Sequence, residues 1–310
     1  MPTNVTGFAR HACLSLMFAS AALFSAAAHA AISVKDDSGA TVTLAAPAQR
    51  IVSLAPHATE LLFAAGAGDR VVGAVEYSDF PEAARKIPRV GNNSALDLER
   101  ILSLKPDLLV VWMHGNSQRQ VEALRQLKLP VFYSEPKHLT DLPDAIERIG
   151  TLAGTPAKAQ AAANTFRERY EALRAQYASR APVSVFYQVW TQPLMTLNGT
   201  HMVSDVIRLC GGVNVFANEP ALVPTVSVEA VLAKQPEAMF TATPGATKSD
   251  KPLATLDSWR KWPQLPAVAR NNLFGIDGDI INRPGPRILD GARVMCEDLD
   301  IARQRRAQAK

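Results

Sequence analysis

The chain predicts an α/β protein of two lobes, each with a mostly parallel sheet covered by helices, joined by one long rigid helix. Three observations carry this. The pattern Glu-x-x-Leu-x-x-x-Pro-acid runs from Glu99 to Asp107 and again from Glu229 to Glu237, leading each time into an apolar stretch, Leu108 to Trp112 and Ala238 to Phe240. Strand-like and helix-like segments alternate on both sides of the chain's middle, as in parallel sheets with both faces covered. Between the two sets lies one helical stretch with a single apolar face.

In chain order, residues 1–30 read as an export tag. Arg10 supplies a positive start, Leu14 to Phe24 is apolar but short for a membrane span, and Ala28-His29-Ala30 fits a cleavage signal, with the cut after Ala30. Cys13 precedes the apolar run, so it is not placed like a lipoprotein cysteine. Residues 31–49 form an N-terminal extension and 50–153 the first lobe. Arg50 to Leu54 is a buried strand, and Pro56 opens a helix through Ala65. Val71 to Val75 is a strand, Asp97 to Leu104 a helix, Leu108 to Trp112 a strand, Ser117 to Leu127 a helix and Val131 to Ser134 a strand. Asp97 and Ser227 occupy the N-cap positions of the two repeat helices, and Pro106 and Pro236 end them.

Residues 154–181 form the connector. Thr155 caps it, Pro156 takes its first position, and Ala162, Phe166, Tyr170, Leu173 and Tyr177 fall on one face. It predicts a helix of about 24 residues, roughly 36 Å long. A rod of this kind limits hinge closure. The second lobe, 182–310, has a strand from Ser184 to Val189, a helix from Met202 to Cys210, the second repeat, a strand from Leu273 to Ile276 and a last helix from about Gly285.

Arg10 is the only charged residue in the tag, so its removal lowers the formal net charge of +4 by one. So mild a surplus, without a basic run, gives no case for nucleic acid. Cys210 and Cys296 remain as an even pair in an exported chain, which predicts a disulfide worth up to roughly 4–5 kcal/mol on the chain-entropy model. The sequence has no Gly-x-Ser-x-Gly elbow, phosphate loop, Gly-x-Gly-x-x-Gly turn or His-Glu-x-x-His. Outside the tag, His57, His114, His138 and His201 are scattered, and His57 has an acid at helical spacing, Glu60. The expectation is a binder with no catalytic residues, no metal site and no resident cofactor. The rival from another class is an exported metal-dependent enzyme built on His57 and Glu60.

Three segments carry a resemblance. RIVSLAPHATE at Arg50 to Glu60 resembles the opening of the helix-linked (cluster A) substrate-binding proteins of ABC importers. EYSDFP at Glu76 to Pro81, LERILSLKPDLLVVW at Leu98 to Trp112 and GNSQRQVEAL at Gly115 to Leu124 are closer to the vitamin B12-binding branch than to the iron-siderophore or heme binders. CGGVNVF at Cys210 to Phe216 resembles the family's second-lobe segment. The resemblance implies a periplasmic monomer that captures a corrinoid such as cobalamin between its lobes and hands it to the permease dimer of an importer.

It also implies site residues. Tyr77 is carried over by the YSDFP match and Trp112 by its place at a strand's carboxyl end, where open α/β sheets bind ligands. Asp279, Ile280, Ile281, Asn282 and Arg283 match a ligand-contacting loop; Phe80 and Trp190 are candidates by location. Glu99 and Glu229 carry over as docking residues, one per lobe, meeting arginines on the two permease subunits. An iron-siderophore or heme ligand is the same-fold alternative, with Arg283 and Arg287 holding its anionic groups. The chain departs from the family where Asn93 and Val223 stand at positions that often hold Trp, where Ile280 and Ile281 replace possible rings, and where Ala55 replaces a capping Ser.

Overall fold

The computed structural model describes Met1 and residues 31–243 and 254–308. The tag, with Arg10, Cys13 and its cut after Ala30, lies outside the described residues. The chain opens with an antiparallel hairpin, β1 (Ile32–Lys35) and β2 (Thr41–Leu44). Its turn is pinned to the first lobe: Asp37 N donates to Tyr133 O at 3.0 Å, and Arg148 meets Asp37 at 2.6 Å. The extension thereby covers the edge of the sheet beside Tyr133.

The first lobe runs β3 (Ile51–Ser53), α1 (Pro56–Ala64), β4 (Val71–Ala74), α2 (Leu98–Ser103), β5 (Leu108–Trp112), α3 (Gln118–Gln126), β6 (Val131–Ser134) and α4 (Leu142–Leu152). Then comes the connector, α5 (Pro156–Tyr177). The second lobe runs β7 (Val183–Gln188), a small hairpin of β8 (Trp190–Thr191) and β9 (Leu194–Met195), α6 (Met202–Leu209), β10 (Gly212–Asn214), α7 (Val228–Lys234), β11 (Ala238–Thr243), α8 (Ala254–Asp257), α9 (Pro266–Ala269), β12 (Leu273–Asp277), α10 (Gly278–Ile281) and α11 (Ile288–Gln308).

Both sheets are wholly parallel, in the orders β4-β3-β5-β6 and β10-β7-β11-β12. Numbered within each lobe, both orders are second, first, third, fourth. The duplication read from two short segments is therefore a duplication of topology. Strand periodicity sorts each sheet's side chains into two layers. Leu109 and Val111 pack with Ile101, Val121 and Leu124 on the outer side of the first lobe. Met239 packs with Val231 and Trp259 on the outer side of the second. The opposite faces, with Val110 and Phe240, join one core that continues through Phe166 and Tyr177 of α5.

The repeat has a physical explanation. Asp97 and Ser227 cap α2 and α7, accepting from the N–H of Arg100 and Ala230. Each helix ends on a left-handed residue before proline, Lys105 (φ 47°) and Gln235 (φ 46°), so the chain reverses there rather than at the proline itself. The acid that follows ties the helix to the start of its lobe's first strand. Asp107 accepts from the N–H of Gln49 and Arg50, and Glu237 from that of Ser184. Proline and acid serve the fold in both copies, together with the buried residue before each leucine, Ile101 and Val231. The leucine does so only in the second, since Leu102 is exposed. The exposed glutamates, Glu99 and Glu229, make no such contact among the described residues.

The connector differs in detail from its expectation. The hydroxyl of Thr155 donates to Ala65 O at 2.6 Å instead of capping α5. Ala159 and Ala163 are buried while Tyr170 and Leu173 are only half-buried, because α4 lies along the helix's first half. Gly150 permits that approach, since a Cβ there would sit 2.2 Å from that of Ala159. The rod is thus braced along the first lobe. Cys210, closing α6, is bonded to Cys296 in α11, 86 positions further along the chain.

Candidate functional site

Residues 57–62 of α1 are all buried, yet three of them, His57, Thr59 and Glu60, are polar. A buried carboxylate and imidazole require partners, and Glu60 finds its partners in the other lobe. Arg287 donates to it through both Nε and Nη2, at 3.0 and 2.6 Å, and Arg283 Nη1 lies 3.5 Å from Oε1. Arg283 also holds Asp79 of the first lobe at 2.9 Å and Asp279 at 2.7 Å. The Arg287 guanidinium lies over the Phe80 ring, 4.0 Å from its centre. Gly285 leaves room for this contact, since a Cβ there would come within 3.1 Å of Glu60 Oε2. Burial opposes ionisation of Asp79, but the hydrogen bond and charge of Arg283 outweigh it and hold the carboxyl below its usual range.

This junction lies among the carboxyl ends of both sheets, since β12 runs directly into α10 and the Arg283 loop. Tyr187, near the end of β7, donates its hydroxyl to Asn282 Oδ1 at 3.0 Å. Part of the space between the lobes is therefore filled by the protein's own charged side chains. A second tie between lobes joins His138 Nδ1 to Asp205 at 3.0 Å.

Tyr77 follows β4 and is 72% exposed, with a left-handed backbone at φ 63°. Such a conformation costs a bulky residue about 1 kcal/mol or more. Its neighbour holds it there: Ser78 is buried, its hydroxyl accepts from Thr59 Oγ1 at 3.0 Å, and Arg89 donates to its carbonyl at 2.9 Å. Trp112, at the end of β5, is half-buried and meets His57 edge-on at 5.6 Å. Asn116 braces it by donating to Leu54 O and accepting from the Trp112 N–H. Asn93 donates to Gly115 O, so it fastens the loop after Trp112. Trp190 is 60% exposed and donates to Gln192 O within its own hairpin.

The segment matched to a ligand-contacting loop is divided. Asp279 and Asn282 reach the surface, and Ile280 is half-buried against the core. Ile281 corrects the sequence expectation: it is 0% exposed, turned inward by α10, and presents nothing to a ligand. Val223 likewise packs against the core, and Ala55 makes no side-chain cap. Among the described residues no hydrogen bond joins His57 to Glu60; that carboxylate is taken by arginines instead. Glu60, Asp79 and Arg287 were not assigned to a common site by the sequence. The signal present was an acid in an apolar helix, but its partners lie more than two hundred positions away.

A family model described as periplasmic binding protein matches residues 51–280. The chain belongs to that family. Among other members, the vitamin B12-binding protein of Vibrio cholerae serotype O1 is 43% identical over 259 residues, covering 83% of this chain and 91% of that one. That of Yersinia pestis is 37% identical over 252 residues, covering 81% and 86%. The crystal structure of periplasmic vitamin B12 binding protein BtuF of Vibrio cholerae superposes with a TM-score of 0.75 at 43% identity, covering 83% of this chain and 98% of that one. Periplasmic heme-binding protein RhuT from Roseiflexus gives 0.70 at 25%, covering 82% and 99%.

In this family member the buried histidine has a measurable consequence. Burial pushes His57 down to about 4, helped by the nearby Arg283 charge and opposed by a hydrogen bond at Ser134. Between pH 4 and the ordinary value of 6.5 the unfolded chain takes up a proton that the folded chain refuses. Stability is therefore complete above 6.5 and is lost as pH falls, by on the order of 3 kcal/mol at this site. Denaturant titrations at pH 7 and 4.5 should show the loss, and His57→Asn should reduce it; an unchanged pH slope in the variant would refute the assignment.

Proposed function

We propose that this chain is a periplasmic substrate-binding protein that captures cobalamin or a related corrinoid between its lobes and delivers it to the permease dimer of an ABC importer. The observation that carries the reading is the 43% identity over 83% of the chain with a vitamin B12-binding protein. The site's chemistry supports it. Cobalamin is a broad, flat ring bearing neutral amide arms, suited to aromatic faces and a few hydrogen-bonding groups. Tyr77, Phe80 and Trp190 offer exposed rings, Trp112 offers a braced edge, and Asp79, Asp279 and Asn282 offer acceptors. Capture needs no bond chemistry, so the protein acts without catalytic residues or a resident cofactor.

Residues 1–30 direct export and are removed after Ala30. The monomer meets its permease through Glu99 and Glu229. A heme or siderophore reading draws on the likeness to RhuT, but Arg283 and Arg287 would first have to release their own carboxylates. The test is direct: incubate the purified protein with cyanocobalamin, remove free ligand by desalting, and record the spectrum. Corrin absorbance is expected to stay with the protein at about one equivalent. Loss of all corrin absorbance on desalting, with retention of heme or ferric-siderophore absorbance in parallel samples, would overturn the reading.

A further inference from the structure

We propose that Glu60 is a specificity-determining residue that bars anionic tetrapyrroles from the cleft by occupying the two arginines such ligands would need. The proposal rests on the interlobe cleft being the ligand site. Arginine forks are the groups best matched to ligand carboxylates, which they grip through paired N–H donors. This chain has two at the junction of its lobes, and both are spent internally. Arg287 gives Nε and Nη2 to Glu60, and its guanidinium plane lies on Phe80. Arg283 divides its donors among Glu60, Asp79 and Asp279. Two positive charges thus face three negative ones.

The position of each carboxylate decides what a ligand meets. The Glu60 side chain is 2% exposed and held from both sides, so solvent cannot relax it away from the arginines. Asp79 and Asp279 have side chains 38% and 46% exposed. An entering propionate therefore meets carboxylates at the surface and occupied arginines behind them, whereas a neutral amide can donate to those same carboxylates. Discrimination of this kind works through repulsion as much as through attraction. Glu60 acts through Arg283 and Arg287 and does not itself touch ligand.

The experiment compares the full chain with its Glu60→Gln and Asp79→Asn variants, using hemin and hemin dimethyl ester as probes and cyanocobalamin in a separate arm. The ester keeps the ring and iron but lacks carboxylates, so the ratio of hemin to ester affinity isolates charge from shape. That ratio is expected to rise at least about tenfold in Glu60→Gln, as one charge-assisted fork becomes available, and to rise in Asp79→Asn. Asp79 is partly exposed, so its variant keeps the test decisive if Glu60→Gln fails to fold. An unchanged ratio in the folded variants, or an equal gain with the ester, overturns the proposal. Failure of the unaltered chain to bind cyanocobalamin would instead sink the corrinoid reading, which the hemin ratio does not measure.

Discussion

Replacing Tyr77 and Trp112 together by alanine is expected to abolish retention of cyanocobalamin on desalting. Central aromatic contacts commonly carry 2 kcal/mol or more each on truncation, so Tyr77→Ala alone should weaken binding by roughly 10–100-fold. Tyr77 is the cleaner residue because it is largely exposed, while Trp112 also packs on His57 and its loss will destabilise the lobe somewhat. Tyr77→Gly provides the sharper form of the test. Glycine adopts a positive φ without strain, so this variant should be more stable by about 1 kcal/mol while binding worse. Stability gained with affinity lost is the signature of a strained residue kept for its ligand. Isothermal titration and denaturant unfolding on the same preparations supply both readings. Undiminished affinity in Tyr77→Ala and in the double variant would remove these rings from the site.

Reversing both charges, Glu99→Arg with Glu229→Arg, is expected to stop cobalamin uptake while leaving ligand affinity unchanged. Each glutamate sits in the first turn of its helix, exposed, and makes no ion pair among the described residues. Hydrogen bonds from its own backbone N–H and from the Ser227 hydroxyl keep the Glu229 carboxyl below its usual range. Both positions are exposed in the first turn of a helix, where reversal removes only a local dipole and capping contribution, so the variant should fold. On the proposed docking, arginines at these positions would face arginines of the permease and repel them, where acids would attract. The check is growth of a cobalamin-dependent strain, or vesicle uptake, alongside titration of the purified variant. Normal uptake by a correctly folded double variant would dismiss these residues as docking points.

Much of the architecture could be read from local pattern. The strands Leu108–Trp112 and Val131–Ser134 were expected at those boundaries, because short β-branched and leucine runs between turn residues have few alternatives. Both caps of the repeat were legible for the same reason, since capping acts over three residues. Helix α4 and the hairpin β1–β2 were not expected. The hairpin's place depends on Asp36 and Asp37 meeting Tyr133 and Glu135, nearly a hundred positions on. Of the candidate site, the positions of Tyr77 and Trp112 at strand ends were legible, while Ile281 looked available and is buried.

The sequence by itself determined most of the main strands and helices, the twin repeat and the cysteine pair, because propensity, periodicity and capping act between near neighbours. Tertiary structure alone decided which charges meet. Glu60, Asp79, Arg283 and Arg287 form one junction only after both sheets have placed α1 and the loop after β12 side by side. Coulomb attraction depends on distance in space, and nothing in the spacing of these residues along the chain specifies that distance.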